Sequence, residues 1–235
     1  MKTLIIIPAY NEAENIRRVI EEIKTAVPEM DYIVVNDCSV DNTEQICRKN
    51  GSDYISLPVN LGIGGGIQAG YIYALQNGYD IAVQIDGDGQ HDPGYVHQLI
   101  QPIISNEADI VIGSRFISKK GFQSSIPRRV GISFLSGMIR FFCNARIKDV
   151  TSGFRAVNRK FIRFYAENYA QDYPEPEAII AAALNNGRIK EVPVVMRARN
   201  GGKSSINAWE AFYYILKVSL TIALYRITYQ KERYI

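Results

Sequence analysis

Two carboxylates set two residues apart, Asp86 and Asp88 in the string IDGDGQHDP, are the side chains best suited to chemistry. Gly87 and Gly89 let the chain turn there, so that both acids reach one centre. Hard carboxylate oxygens suit Mg²⁺ or Mn²⁺, which keep positions open for diphosphate oxygens. Gln90 and Asp92 are further oxygen donors in the same string. The competing reading is an Asx-rich turn, the usual role of an isolated acid pair. A calcium-binding EF-hand is excluded, because Gln90 and His91 stand where that loop needs an acid or Asn and then Gly. His91 and His97, the two histidines of the chain, lack paired cysteines and make a poor zinc set. They are expected on the surface or in helices.

A second group of polar residues falls at other predicted strand ends. Tyr10, Asn11 and Glu12 follow the apolar run LIIIP, with Asn11 expected to cap the next helix. A helix N-terminus there offers free N–H groups, and Glu12 can reach a ribose hydroxyl or a base. Asp37 ends the second strand and is an acceptor suited to a base N–H. Each alone fits a cap or a turn; together they describe a nucleotide pocket. The stretch NLGIGGGIQAG does not carry a dinucleotide fingerprint, since Ile67 occupies the place of the third glycine. It reads as a tight loop, either near a diphosphate or as a plain turn. Farther on, Arg115, Arg128, Arg129 and Arg155 suit a phosphate, while QDYPEPE supplies Asp172, Glu175 and Glu177 as candidate bases. Glu177 equally fits an ordinary helix start.

The elements that must position these groups alternate short β-branched runs with helical patterns, the mark of parallel βαβ units. Strands are expected over Leu4–Tyr10, Asp31–Asp37, DYISLP, Asp80–Asp86 and Asp109–Ser114. Helices are expected after Asn11, over Asp41–Lys49, from the glycine-rich stretch through Leu75, and near Tyr95–Ile104. Beyond Arg115 the pattern loosens: an apolar helix around Val130–Phe142, an irregular DVTSGFRAV, a helix over Glu177–Asn185, a strand IKEVPVVM, a loop RARNGGKSS and a long helix over Asn207–Tyr229. That last helix is interrupted by Lys217 and bounded by Arg226, too short an apolar run to span a bilayer. It either packs on the domain or on a second subunit, or lies on a membrane surface.

Charge divides the chain. Met1 to Ser114 holds 6 basic and 16 acidic residues, and Arg115 to Ile235 holds 21 and 8. An acidic half that carries a cation and a basic half that faces an anion account for this, as do two solvated faces. The basic region has no helix-turn-helix, zinc-finger or RNP pattern, so nucleic acid is not an expected partner. Cys38, Cys47 and Cys143 are odd in number and widely spaced, which points away from disulfides and towards a reducing cytoplasm. The apolar run at the start ends at Pro8, too early for a signal peptide.

The motifs PAYNE, VVNDCSVDNT, NLGIGG, IDGDGQHDP, IGSRF and DVTSGFRA follow one another in the order seen in family 2 glycosyltransferases. The chain resembles in particular the dolichyl- and polyprenyl-phosphate mannose and glucose synthases, over roughly Thr3 to Arg163. The resemblance implies a GT-A fold, a Rossmann-like, mostly parallel sheet flanked by helices. It implies a transferase domain over residues 1–206, divided into a donor- and metal-binding half (1–114) and an acceptor half (115–206), with residues 207–235 as a C-terminal amphipathic helix. Pro8, Tyr10, Glu12, Asp37 and Asp86 would contact the nucleotide, and Asp86, Asp88 and Gln90 would hold Mg²⁺ or Mn²⁺. Arg115 and the Ser152–Arg155 segment would line the donor and acceptor phosphates, with Arg199 and Lys203 in a loop that closes over the diphosphate. Ser204-Ser205 departs from the usual ending of that loop, where a basic residue follows the serine.

The activity implied is inverting transfer of a sugar from a UDP-, GDP- or dTDP-sugar, by one displacement. A lipid-linked acceptor at the inner membrane surface is preferred, either a polyprenyl phosphate or a sugar already on the lipid. A phosphate nucleophile needs cationic guidance, whereas a hydroxyl needs a base, the role open to Glu175 and Glu177. Transfer to a soluble or polymeric acceptor is the alternative. A sugar nucleotidyltransferase is disfavoured because PAYNEAEN lacks the glycine-rich basic loop such enzymes carry after the first strand. A non-catalytic nucleotide-binding module is disfavoured by the acid pair standing beside an acceptor motif.

Overall fold

The computed structural model describes residues 1–118, 120, 121, 123, 126–198, 215–222 and 224. Seven strands among these form one sheet in the order β3-β2-β1-β4-β6-β5-β7. They are β1 (Thr3–Ala9), β2 (Asp31–Asn36), β3 (Tyr54–Ser56), β4 (Ile81–Gln84), β5 (Ile110–Ser114), β6 (Arg155–Asn158) and β7 (Ile189–Pro193). Only β6 runs against its neighbours, β4 and β5; the other strand pairs are parallel. The helices are α1 (Ile16–Ala26), α2 (Thr43–Lys49), α3 (Gly62–Gln76), α4 (Val96–Ile104), α5 (Arg115–Ser118), α6 (Ile126–Cys143), α7 (Arg159–Glu167) and α8 (Pro174–Leu184).

β1 is buried along its whole length, as a central parallel strand covered on both faces must be. Alternation sends Ile5 and Ile7 to one side, with Val83, Val111 and the apolar stripe of α1 (Ile16, Val19, Ile20, Ile23). Leu4 and Ile6 face the other side, with Ala82, Ile112, Tyr71 of α3, Tyr165 of α7 and Ile179 of α8. Ile132, Leu135 and Ile139 of α6 join that second core, as do Val218 and Ile222 of the helical stretch 215–222. The boundary expected at 114/115 falls between β5 and α5, and strands from both sides of it share the sheet.

Several local expectations are corrected. Asn11 does not cap a helix: it sits at φ 55° in a turn, and α1 begins at Ile16 after Asn15. The glycine-rich stretch is helical, since α3 starts at Gly62. Its glycines permit close approach: a β-carbon on Gly64 would collide with Ala170 O and lie 2.5 Å from Gln171 Cα. DVTSGFRAV, expected to be irregular, ends in β6, and α7 follows it. A four-residue strand that owes its place to long-range pairing on both edges leaves little local pattern to read. Arg199, Lys203 and most of the expected final helix lie outside the described residues.

Gly64→Ala is expected to destabilise the protein by about 1–3 kcal/mol, because backbone and not a mobile side-chain tip must move. Gly137 lies within α6 with open space around its would-be β-carbon. Gly137→Ala is expected to stabilise by up to about 1 kcal/mol through helix propensity. Thermal midpoints of the two variants should therefore move in opposite directions, by about 2–4 °C per kcal/mol.

Candidate functional site

β1 and β4 lie side by side with Ile6 opposite Gln84, so the segments that leave their carboxyl ends start together. They stay together past the strands: Ile85 N–H donates to Ile6 O (3.0 Å) and Gly87 N–H to Pro8 O (3.2 Å). On the other side Asp37 N–H donates to Ala9 O (2.9 Å), which brings the end of β2 to the same edge. Such an edge, beyond the carboxyl ends of parallel strands, is where open α/β sheets bind ligands. A cleft of about 410 Å³ opens there, lined by Pro8, Tyr10, Glu12, Asp37, Asp86 and Asp88. All six were picked out from the sequence. Asn60, Gly62, Ile63 and Gly66, at and before the start of α3, complete the wall with Ala9 and Gly87.

The loops behind this wall are tied to each other. Thr43 Oγ1 accepts from Glu12 N–H (2.9 Å) and donates to Asp41 Oδ1 (2.5 Å), and Asp41 Oδ2 accepts from Ala13 N–H (3.1 Å). Burial works against ionisation of Asp41, but the hydrogen bonds from Thr43 and Ala13 outweigh it and hold the carboxyl below its ordinary range. Glu12 Oε2 accepts from Asn15 Nδ2 (3.0 Å). Asp37 Oδ1 accepts from Leu61 N–H (2.7 Å), which fixes the entry to α3.

The acid pair is held from three sides. Gln84 Nε2 donates to Asp86 Oδ1 (2.9 Å), and Gly153 allows the approach, since its β-carbon would stand 3.0 Å from Asp86 Oδ2. Asp86 N–H donates to Nδ1 of His91 (3.1 Å), and the His91 ring stacks on Phe154 with centroids 4.9 Å apart. His91 is thus buried in the segment between β4 and α4, neither on the surface nor in a helix as expected from sequence. His97 is exposed on α4. Asp88 Oδ1 accepts from Gln90 N–H (3.0 Å). Gln90 does not line the cleft: its carbonyl accepts from Arg197 N–H (3.0 Å), and its Nε2 donates to Arg197 O (3.4 Å). Arg197 pairs with Glu22 (2.5 Å) and Asp92 (3.1 Å), so this backbone is anchored to α1. Among the described residues no group of three His, Cys, Asp or Glu side chains could hold an ion alone. The pair Asp86 and Asp88 suits a hard cation that takes the rest of its shell from ligand oxygens and water.

The basic half supplies structure at close range. Arg115 presents Nε to Asp149 Oδ2 (2.8 Å) and Nη2 to Asp149 Oδ1 (2.7 Å), in a pair that is almost wholly buried. Arg155 is fully buried and gives Nη2 to Ser152 O (2.6 Å) and Nη1 to Glu175 O (3.3 Å). Ser152 Oγ donates to Gly113 O (2.7 Å). Arg115, Ser152 and Arg155 therefore brace the segment that packs on Asp86 and do not line the cleft. Arg128 and Arg129 are exposed on α6. Glu175 and Glu177 part ways. Burial pushes the Glu175 carboxyl up, and its charged neighbours are Arg155, Asp86 and Arg128. Burial also raises Glu177, but its charged neighbours are Asp172 and Lys217, on the side of stretch 215–222.

The roles of Gln84, His91 and Gly153 around Asp86 are the parts of this arrangement not expected from the sequence. A polar residue inside the apolar strand IAVQI was a usable signal, because buried amides are normally hydrogen-bonded. Nothing in the local sequence marks Gly153 as the neighbour of Asp86.

The sequence model of glycosyl transferase family 2 matches residues 4–166. An undecaprenyl-phosphate mannosyltransferase of Micrococcus luteus is 30% identical over 217 residues, covering 88% of each chain. A UDP-N-acetylglucosamine–dolichyl-phosphate N-acetylglucosaminyltransferase of Methanococcus voltae is 32% identical over 210 residues, covering 81% of this chain and 83% of the relative. Among solved structures, glucosyl-3-phosphoglycerate synthase from Mycobacterium tuberculosis in complex with uridine diphosphate superposes with a TM-score of 0.74 at 21% identity, covering 94% of this chain and 79% of that one. The same synthase in complex with Mn²⁺, UDP-glucose and phosphoglyceric acid gives 0.73, at the same identity and coverage. At that identity the likeness concerns the fold, which is of the GT-A kind. With the acid pair and the strand-end residues gathered round one cleft, and with these relatives, the chain belongs to glycosyl transferase family 2 and is a glycosyltransferase.

Proposed function

We propose that the protein moves a sugar, with inversion, from a nucleotide-diphosphate sugar to a lipid-linked acceptor at a membrane surface, with Mg²⁺ or Mn²⁺ bound by Asp86 and Asp88. The observation that carries this reading is the shared cleft, in which two carboxylates follow β4 opposite Pro8, Tyr10, Glu12 and Asp37. Glu12 and Asp37 are acceptors suited to the ribose and base of the donor. A cation held by Asp86 and Asp88 would stabilise negative charge that builds on the departing diphosphate. Arg199 and Lys203 remain candidates for contacts to the same diphosphate. The acceptor oxygen attacks the anomeric carbon from the face opposite the leaving group, its bond forms as the bond to the diphosphate breaks, and the nucleoside diphosphate departs. Solved neighbours bound to UDP with Mn²⁺ or Mg²⁺ support the donor class.

Relatives whose names specify undecaprenyl, polyprenol or dolichyl phosphate support a phosphate acceptor. Arg128 and Arg129 are the exposed cations suited to it, with Arg115, Ser152 and Arg155 bracing the acceptor side from within. Two apolar stripes support a membrane setting. Val130 (65% exposed), Phe134 (54%) and Phe141 (82%) fall within about 40° of one another around α6, at about 100° per residue. Leu216, Leu220 and Leu224 form a like stripe on the neighbouring stretch, and Gly131 lets Ile215 of that stretch approach α6 closely. No helix among the described residues is long and apolar enough to cross a membrane. Surface stripes flanked by arginine suit the interface with anionic lipid.

A second reading, transfer to a hydroxyl, is favoured by one observation: Glu175 has Asp86 among its charged neighbours and a raised pKa. A base whose pKa is drawn towards neutrality is suited to taking a hydroxyl proton.

This scheme has consequences for binding, turnover, stability and membrane contact. In the wild type, one nucleotide class among UDP-, GDP- and dTDP-sugars should raise the thermal midpoint in an Mn²⁺-dependent way, by about 2.7 kcal/mol of stabilisation at a hundredfold excess over Kd. Asp88→Asn should lose that stabilisation and at least a hundredfold in transfer rate, with an unchanged circular dichroism spectrum; normal turnover would remove the metal assignment. Glu175→Gln should leave transfer to polyprenyl phosphate within a few-fold of wild type and cripple transfer to a hydroxyl. The same variant reports on stability. A raised carboxyl pKa favours the protonated fold, a contribution present at low pH and lost as pH rises through the folded pKa. Glu175→Gln should therefore gain thermal midpoint over wild type at neutral pH and lose the advantage in acid. Finally, the double variant Phe134→Ser, Phe141→Ser should sediment less with phosphatidylglycerol vesicles than wild type, with equal donor binding in solution. Equal sedimentation would count against the α6 stripe as the contact.

A further inference from the structure

The hydrogen-bond pattern of β4 leaves one donor without a strand partner at the place where the acid pair begins. Ile85 and Gly87 direct their N–H groups to β1, at Ile6 O and Pro8 O. Along a strand successive N–H groups point to opposite sides, so Asp86 N–H points towards the β6 edge. The pairing of β4 with β6 ends at Gln84 opposite Arg155, two residues earlier. The Asp86 N–H is therefore the first donor beyond the end of β6, at a buried edge. His91 fills the gap: Nδ1 accepts that N–H at 3.1 Å. An N–H donor there needs a nitrogen lone pair, which excludes the flipped ring and, in the neutral imidazole, assigns the proton to Nε2. Nε2 lies 3.7 Å from Asp86 Oδ2, too far for a direct bond. The ring is 5% exposed and lies nearly parallel to Phe154, with an interplanar angle of 13°. Phe154 immediately follows Gly153, the residue whose missing β-carbon makes room for the Asp86 carboxylate.

We infer that His91 is a positioning residue for Asp86, with two separable functions. Its Nδ1 lone pair fixes the Asp86 peptide and so the direction in which the carboxylate enters the cleft; its ring face holds the 152–155 segment against the acid string. The inference rests on the cation-and-donor reading of the cleft. Groups that orient a ligating carboxylate govern affinity for the ion without touching it, and their loss costs about 10–100-fold.

Two substitutions separate the functions. His91→Asn keeps an acceptor oxygen at the position of Nδ1 and removes the stacking ring. His91→Phe keeps a ring to stack on Phe154 and removes the acceptor. Mn²⁺ binding is read from the free-ion electron paramagnetic resonance signal, in the presence of UDP, and thermal midpoints are read without ligand. His91→Phe is expected to weaken Mn²⁺ binding about 10–100-fold, with the smaller loss of thermal midpoint. His91→Asn is expected to bind Mn²⁺ within about threefold of wild type, as a retained acceptor predicts, with the larger loss of midpoint. If His91→Phe binds Mn²⁺ like wild type, or if both variants lose affinity only in proportion to stability, the positioning role is overturned. Should His91→Phe not fold, His91→Leu, apolar and without an acceptor, takes its place in the comparison. A wild-type protein that binds no Mn²⁺ with UDP would instead overturn the cation reading itself, a result distinct from failure of the His91 assignment.

Discussion

A β-carbon on residue 153 would stand 2.9 Å from Gln84 Nε2 and 3.0 Å from Asp86 Oδ2, and this close approach constrains the whole centre of the molecule. It requires that the chain return to β4 from the second half and run antiparallel beside it, which β6 does with Gln84 opposite Arg155. An all-parallel sheet would bring a strand's amino end to the opposite edge, away from the acids. Reversing one strand delivers Ser152, Gly153 and Phe154 to the edge where β1, β2 and β4 end. The cleft is thus lined by the first half of the chain and braced from behind by the second.

Holding that return segment in place falls to two buried arginines. The Arg115–Asp149 pair joins the end of β5 to the segment before β6, and Asp149 also accepts the Arg115 N–H (3.0 Å). Removing one partner of such a pair leaves an uncompensated charge and costs about 3–5 kcal/mol. Among the described residues no carboxylate is in hydrogen-bond contact with Arg155; its planar fork takes two carbonyls from different segments, at Ser152 and Glu175. Burial opposes its charge, but Tyr169 and Glu175 outweigh burial and raise the guanidinium above its ordinary range. A lysine has the charge but not the geometry to span both carbonyls. The positive field behind the acid pair is in this way fixed in the core and not carried on mobile surface side chains.

How far the sequence discloses this depends on the range of the interactions. Strand ends are local events: an apolar run stopping at Tyr10, Asp37 or Asp86 is visible in a few residues, and the cleft-lining acids follow from it. The fold class is equally legible, because βαβ periodicity repeats through the first half. β6 is not legible, since Arg155 breaks the apolar pattern and the strand is made by its neighbours. Nor are the tasks of Arg115 and Arg155, because an arginine in a basic stretch looks the same whether it faces a ligand or a buried aspartate. The burial of His91 is hidden for a related reason. Its partners, a backbone N–H five residues back and a ring at position 154, leave no pattern of spacing.

The charge division acquires a physical meaning from these placements. Of the cations between Arg115 and Arg163, Arg115 and Arg155 are consumed in the core, whereas Arg128 and Arg129 stand exposed at the start of α6, next to an apolar stripe. Exposed cations beside exposed apolar side chains have little reason to exist in a helix that merely faces water, where polar residues would serve. Glu175 links the two regions, since its neighbours include Asp86 at one end and Arg128 at the other. Glu175 is thus in electrostatic reach of both the acid pair and an exposed arginine beside the apolar stripe. On the proposed lipid-phosphate reading, an anionic headgroup would be held at Arg128 with its tail on the apolar stripe.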